Sequence, residues 1–148
     1  MTPAMFSSAA LFPSLEPEAA NSALRDGAVL VVEDEDSLAD LLHHLLLRVK
    51  IRVLRAADGA QARQLFAKHR AAIALALVDC HLPDMGGAEL CQELRAVAPG
   101  LPLLITSGRD QRALAATLAP GGPTAFLPKP YMPGEVVRRV TALLPATG

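Results

Sequence analysis

Residues 28–36 read AVLVVEDED and decide the fold, because five consecutive apolar residues are followed at once by four acids. An apolar run of this length without polar alternation predicts a β-strand that is buried on both faces. The leucines that follow repeat with the spacing of an amphipathic helix, at positions 38, 41, 42, 45 and 46. The segment therefore predicts a strand–helix unit with carboxylates at its junction and with Asp36 or Ser37 as the helix cap.

The same alternation repeats along the chain. Four further strands are predicted by apolar runs, at 51–56, 72–78, 101–106 and 124–127. A helical pattern follows each run: the first begins after Asp58-Gly59, and the others cover 88–97, 110–119 and 136–144. Strict alternation predicts an α/β fold, a doubly wound five-stranded parallel sheet with helices on both faces. Right-handed crossovers favour the order 2-1-3-4-5. Pro128 agrees with this order, because proline is tolerated on an edge strand.

Composition excludes several classes of protein. Of 148 residues, 51% are hydrophobic and 20% charged, which excludes a disordered chain. A net charge of −1 argues against direct binding of nucleic acid, which needs a cationic surface. No apolar run reaches the roughly 20 residues that span a bilayer, so we expect no membrane segment. Two cysteines, Cys80 and Cys91, cannot form a disulfide framework, and this favours the cytoplasm.

The chain divides into two regions. Residues 1–26 show no sustained period and contain three prolines, so we predict a flexible N-terminal tail or linker, with a short helix over 16–25 as the alternative. Residues 27–145 form the predicted domain. Because so few residues follow the last helical pattern, we expect no output domain on that side.

Three acids are predicted to meet at one edge of the sheet. Glu33 and Asp34 follow the first strand, and Asp79 ends the third. These strands flank the point where strand order reverses, and ligands of such sheets bind there. Neighbouring carboxylates repel one another, so either their pKa values rise or a cation lies among them. Carboxylate oxygens without a Cys or His cluster favour Mg²⁺.

Two further residues are predicted at the same edge. Thr106 ends the fourth strand, and Lys129 follows the fifth. Carboxylates, a divalent cation, a hydroxyl group and an ammonium group together suit a phosphoryl group. No glycine-rich nucleotide-binding loop occurs, so a bound nucleotide is not expected.

The chain resembles the response-regulator receiver domain of two-component signalling over roughly residues 27–144. The matching segments are 29–35 (VLVVEDE), 77–86 (LVDCHLPDMG), 102–108 (PLLITSG) and 126–131 (FLPKPY). One segment alone would be weak evidence. Four of them, in order and each at a strand end, are specific, and they imply a flavodoxin-like (βα)5 receiver.

The resemblance implies a role for each matching residue. Asp79 is the implied phosphoacceptor, acting with Thr106 and Lys129. The implied ligands of Mg²⁺ are Glu33, Asp34, Asp79 and the backbone carbonyl of His81. Thr106 and Phe126 form the implied switch, and the bond before Pro130 is expected to be cis.

The resemblance also implies partners. A sensor histidine kinase or a phosphotransfer protein supplies the phosphoryl group. A downstream protein binds the face of the fourth helix, fifth strand and fifth helix, and a homodimer is left open. We expect no enzymatic activity beyond self-phosphorylation from phosphodonors and autodephosphorylation.

Three alternatives remain open at this point. The chain could be the receiver segment of a hybrid histidine kinase, a phosphatase with an aspartyl nucleophile, or a binding module that is never phosphorylated. The phosphatase mechanism usually needs a second Asp two residues after the nucleophile, where this chain has His81.

The chain departs from the common receiver pattern at two residues. Glu33 stands where many receivers have Asp, and Phe126 lacks the hydroxyl of the Tyr that is commoner in receivers. The breaker-rich segment 120–123 (PGGP) leaves the length of the fourth helix open.

Overall fold

The computed structural model describes residues 27–107 and 121–144. Its strands are Ala28–Val32 (β1), Arg52–Ala56 (β2), Ile73–Asp79 (β3), Leu103–Ser107 (β4) and Thr124–Pro128 (β5). Its helices are Asp36–Arg48 (α1), Gly59–His69 (α2), Gly87–Val97 (α3) and Pro133–Leu143 (α4), and a 3₁₀ turn at Arg70–Ala72 precedes β3. The tail over 1–26 and the helix predicted over 110–119 lie outside the described residues. Therefore α4 is the fifth helix of the sequence prediction.

The five strands form one parallel sheet in the order β2-β1-β3-β4-β5, which confirms the predicted architecture. All five residues of β1 are fully buried, as the unbroken apolar run predicts. Strand β5 lies at the edge of the sheet, where Pro128 is the last strand residue. The carboxyl ends of β1, β3, β4 and β5 therefore share one edge.

Side chains of β1 alternate between two aliphatic cores. Leu30 and Val32 face the core that α2 and α3 cover, whereas Val29 and Val31 face the core under α1 and α4. Leu42 and Leu46 supply the α1 side of the second core. Burying a side chain of this size contributes roughly 1.5–3 kcal/mol, so the two layers anchor the sheet edge from both sides.

The start of α1 differs from the prediction. Glu35 is the residue before the helix, and its side chain makes no capping bond to the helix backbone. Neither Asp36 nor Ser37 caps the helix, because the helix already begins at Asp36, and the Ser37 hydroxyl donates to the Glu35 carboxylate. Helix α2 does have a side-chain cap, since the Asp58 carboxylate accepts the backbone N–H of Gln61 at 2.8 Å.

A buried arginine fixes the approach to β5. Arg95 of α3 is 6% exposed, and its guanidinium donates to the carbonyl groups of Leu101, Gly122 and Pro123. A Cβ atom at Gly122 would lie 2.4 Å from the carbonyl oxygen of Gly100, so the two turns pack at a distance only glycine allows. The glycines of the PGGP segment thus let this turn pack on the turn after α3.

Candidate functional site

The ends of four strands bring the predicted polar residues together. Glu33 and Asp34 follow β1, Asp79 ends β3, and Thr106 lies beside Asp79 in the β3–β4 register. Lys129 follows β5, and its backbone N–H donates to the carbonyl of Ser107 at 2.9 Å. Each residue thus reaches the edge because its strand stops there.

The three acids lie close to one another. A carboxylate oxygen from each of Glu33, Asp34 and Asp79 lies within 4.8 Å of the other two. Glu33 and Asp79 are buried, at 3% and 5% exposure, whereas Asp34 is exposed. The cluster is therefore open to solvent on the side of Asp34.

The carboxylate of Asp79 accepts two hydrogen bonds. The backbone N–H of His81 donates to Oδ1 at 3.0 Å, and the Lys129 ammonium donates to Oδ2 at 3.0 Å. The same ammonium lies 3.6 Å from Oε1 of Glu33. Lys129 therefore partly neutralises both buried acids.

Burial and repulsion act together on Glu33. Desolvation, followed by the negative charge of Asp79, raises the pKa of Glu33 from 4.5 to about 7. Burial alone would lower the pKa of Lys129, but its hydrogen bond to Asp79 and the charges of Asp79 and Glu33 outweigh burial and raise it. One positive side chain thus does not fully compensate the two buried carboxylates.

We expect the pH dependence of stability to report this imbalance when divalent cations are removed with EDTA. The folded state keeps a proton on Glu33 between about pH 4.5 and 7, a range in which the unfolded chain has lost it. The free energy of unfolding should therefore fall as pH rises through this window, by about 3 kcal/mol. Urea unfolding of the Glu33→Gln variant at pH 5 and pH 8 should lack that fall.

Glu89→Gln is the matched control, because Glu89 is exposed in the first turn of α3. This variant should keep the parent's dependence on pH. The explanation would be wrong if Glu33→Gln kept the same dependence as well.

The donor set fits a hard divalent cation. Oε1 of Glu33 is buried and has no hydrogen-bond partner among the described residues, so it keeps acceptor capacity inside the cluster. Carboxylate oxygens at this spacing are the ligands that Mg²⁺ prefers. A cation there would also offset the repulsion that raises the pKa of Glu33.

Thr106 contributes a second polar atom that is not satisfied. Its side chain is fully buried, and within 27–107 and 121–144 its hydroxyl has no hydrogen-bond partner. The neighbouring strand carries Asp79 in the paired position. A buried hydroxyl left unpaired is costly, so this donor is available to a group that binds at the acid cluster.

The loop after β5 carries the remaining predicted residues. The peptide bond between Lys129 and Pro130 is cis. Phe126 of β5 is half-buried and packs against the core on the α2–α3 side of the sheet. The structure places Phe126 one position before the register partner of Thr106, on the neighbouring strand.

No role was predicted for Tyr131, the last residue of the segment 126–131. Its hydroxyl is buried and has no hydrogen-bond partner in the described part of the chain. Burial, together with the charges of Glu33 and Asp79, raises the pKa of this phenol. Its position two residues after Lys129 was the one signal in the sequence. Tyr131 also lines a cavity of about 370 Å³ with Glu35, Leu38, Lys129 and Pro130.

Comparison with known proteins identifies the family. The family model described as "Response regulator receiver domain" matches residues 29–141. The sensory transduction protein RegX3 of Mycobacterium tuberculosis (strain ATCC 25618 / H37Rv) is 34% identical over 117 residues, which cover 79% of this chain and 50% of RegX3. The chain belongs to the response regulator receiver family of two-component signalling.

Solved structures show the same fold. A CheY-like receiver domain protein from Methanospirillum hungatei JF-1 is similar with a TM-score of 0.70 and 23% identity, over 78% of this chain and 91% of that chain. The receiver domain from the hybrid histidine kinase CckA has a TM-score of 0.68 and 28% identity, over 80% of this chain and all of that chain.

The chain spans about half the length of the curated relatives it matches. Among the helices that the structure describes, none has the length and apolarity needed to cross a membrane.

Proposed function

We propose that Asp79 accepts a phosphoryl group from a phosphohistidine of a partner protein, and that phosphorylation switches the binding of a further partner. One observation carries the proposal. The Asp79 carboxylate lies between the N–H of His81 and the ammonium of Lys129, beside a buried Thr106 hydroxyl without a partner within the described residues. An acid held between donors, with a further donor unused, suits the developing charge of phosphoryl transfer.

The transfer conserves atoms and charge. One carboxylate oxygen of Asp79 attacks phosphorus, the phosphorus–nitrogen bond breaks, and the imidazole leaves with the electron pair of that bond. The product is an acyl phosphate on Asp79. Lys129 is the residue we assign to the phosphoryl oxygens, since its ammonium already lies 3.0 Å from the Asp79 carboxylate.

We assign Glu33, Asp34, Asp79 and the backbone carbonyl of His81 to Mg²⁺. The cation supplies charge neutralisation for the incoming phosphoryl oxygens. Oε1 of Glu33 supports this assignment, because it has no hydrogen-bond partner among the described residues. The three acids support it as well, since one oxygen from each lies within 4.8 Å of the others. The longer side chain of Glu33 would allow it to hold the metal through a water molecule.

Thr106 and Phe126 are the proposed switch. The buried Thr106 hydroxyl would move to the phosphoryl group, and Phe126 would follow inward on the adjacent strand. The output face comprises the predicted helix over 110–119, strand β5 and helix α4. Such a switch needs only two conformations of the receiver, whose relative populations change when Asp79 is phosphorylated.

The proposal also covers the domain organisation, the location and the partners of the protein. Residues 1–26 act as a tail or linker and 27–145 as the receiver, in the cytoplasm, with a sensor histidine kinase or phosphotransfer protein as donor. A homodimer and a hybrid-kinase context remain variants of the same proposal. We propose no catalytic role beyond self-phosphorylation and autodephosphorylation.

The test uses acetyl phosphate with Mg²⁺. The intact mass of the protein should rise by one phosphoryl group, and EDTA should suppress the gain, because uncompensated carboxylates repel an anionic donor. An unchanged mass with Mg²⁺ present would refute the proposal and favour the binding module that is never phosphorylated. Multiple turnover on a phosphomonoester would instead favour the phosphatase.

A further inference from the structure

The loop over residues 80–86 determines what surrounds the Asp79 carboxylate. Its first part supplies the His81 N–H, which donates to Oδ1 of Asp79 at 3.0 Å. An antiparallel bridge between His81 and Gly86 closes the loop, and the N–H of Gly87 donates to the carbonyl of Cys80 at 2.8 Å. The placement of the His81 backbone therefore depends on how the rest of the loop is held.

Asp84 connects this loop to another helix. Its Oδ1 accepts the N–H of Gly59 at 2.8 Å, and its Oδ2 accepts the N–H of Ala60 at 3.0 Å. Both donors lie in the first turn of α2, where backbone N–H groups lack partners within the helix. The Gly59 amide lowers the pKa of Asp84, so an anion lies at the positive end of the helix dipole.

Met85 makes a second contact at the same place. A Cβ atom at residue 59 would lie 2.2 Å from the sulfur of Met85. The Met85 side chain therefore packs directly on the backbone of α2, at a distance that leaves no room for a Cβ atom in this arrangement. Two consecutive loop residues, Asp84 and Met85, thus fix the loop to the first turn of one helix.

Helix α2 has a cap of its own. The Asp58 carboxylate accepts the N–H of Gln61, and the Gln61 side-chain oxygen accepts the N–H of Ala57, both at 2.8 Å. This reciprocal arrangement resembles a capping box. The additional bonds from Asp84 are therefore not needed to begin the helix, and what they hold in place is the loop.

We propose that Asp84 is a positioning residue of the phosphoacceptor site, which acts by fixing the 80–86 loop to α2 so that the backbone of His81 stays against Asp79. The inference rests on the proposed function of Asp79 and of the His81 carbonyl. Asp84 itself is exposed and contacts no reacting atom in this proposal. Outer groups that orient metal ligands typically contribute 10–100-fold to metal affinity or activity.

The test compares two cap residues of one helix. Mg²⁺ is titrated into the full chain, with amide chemical shifts as readout, and the rate of phosphorylation by acetyl phosphate is measured at low and at saturating Mg²⁺. Asp84→Ala should weaken the apparent affinity for Mg²⁺ by about 10-fold, with a smaller loss of rate at saturation. Asp58→Ala should lower thermal stability without weakening Mg²⁺ binding.

Asp84→Asn keeps one acceptor oxygen and should have an affinity for Mg²⁺ between those of the parent and Asp84→Ala. It also serves as the test variant if Asp84→Ala fails to fold. Equal Mg²⁺ affinities for the parent and the folded Asp84 variants would overturn the inference. The titration does not require phosphoryl transfer. A parent protein that binds Mg²⁺ but takes no phosphoryl group would therefore contradict the proposed function separately, while the comparison of affinities still decides the role of Asp84.

Discussion

Asp79→Asn is expected to abolish phosphorylation by acetyl phosphate while the protein stays folded. The amide keeps the shape of the side chain and still accepts the N–H of His81, but it lacks the anionic oxygen that attacks phosphorus. The substitution also removes one of two buried negative charges, so we expect no loss of thermal stability. Intact mass after incubation with donor and Mg²⁺ measures the effect.

Asp40→Asn is the matched control for this change. Asp40 lies on α1 in an exposed ion pair with Arg55, away from the acid cluster. Its removal should leave the gain of one phosphoryl group unchanged, since such surface pairs contribute little to stability. If Asp79→Asn still gained a phosphoryl group at the parent's rate, another residue would be the acceptor.

Lys129→Met is expected to slow phosphorylation by about 10²-fold, the usual effect of losing one charged donor at a developing anion. The methionine fills similar space but removes the ammonium that lies 3.0 Å from Asp79 and 3.6 Å from Glu33. Repulsion between the two buried acids then increases, and the negative donor meets a more negative site. The rate of mass gain at saturating Mg²⁺ provides the measurement.

Two variants separate position from charge. Lys68→Met removes an exposed lysine in the last turn of α2 and should keep the parent's rate. Lys129→Arg keeps the charge on a larger planar group and should retain a higher rate than Lys129→Met. The assigned role of Lys129 would be wrong if Lys129→Met and Lys68→Met were phosphorylated equally fast.

The strands could be predicted because a strand that is buried on both faces consists almost entirely of apolar residues. Residues 28–32 are apolar without interruption, and the structure buries every one of them. The start of α1 was predicted less well. Four consecutive acids offer several candidate caps, and local pattern does not reveal that the helix begins at Asp36 without any side-chain cap.

The acid cluster was predictable for a topological reason. Once the strand order is known, residues at the carboxyl ends of β1, β3, β4 and β5 must share one edge. The pKa of Glu33 was not predictable, since it depends on the depth of burial and on the distance to Asp79. The bonds from Asp84 to α2 and from Arg95 to the turn before β5 depend on loop paths, which periodicity does not encode.

Chemical localisation of the phosphoryl group tests the central claim most directly. After incubation with acetyl phosphate and Mg²⁺, borohydride reduction converts an aspartyl phosphate into homoserine, which tandem mass spectrometry places in the sequence. We predict homoserine at position 79 and at no other position, and none when donor is omitted. Homoserine at another acid, or a phosphorylated protein without homoserine at 79, would contradict the account.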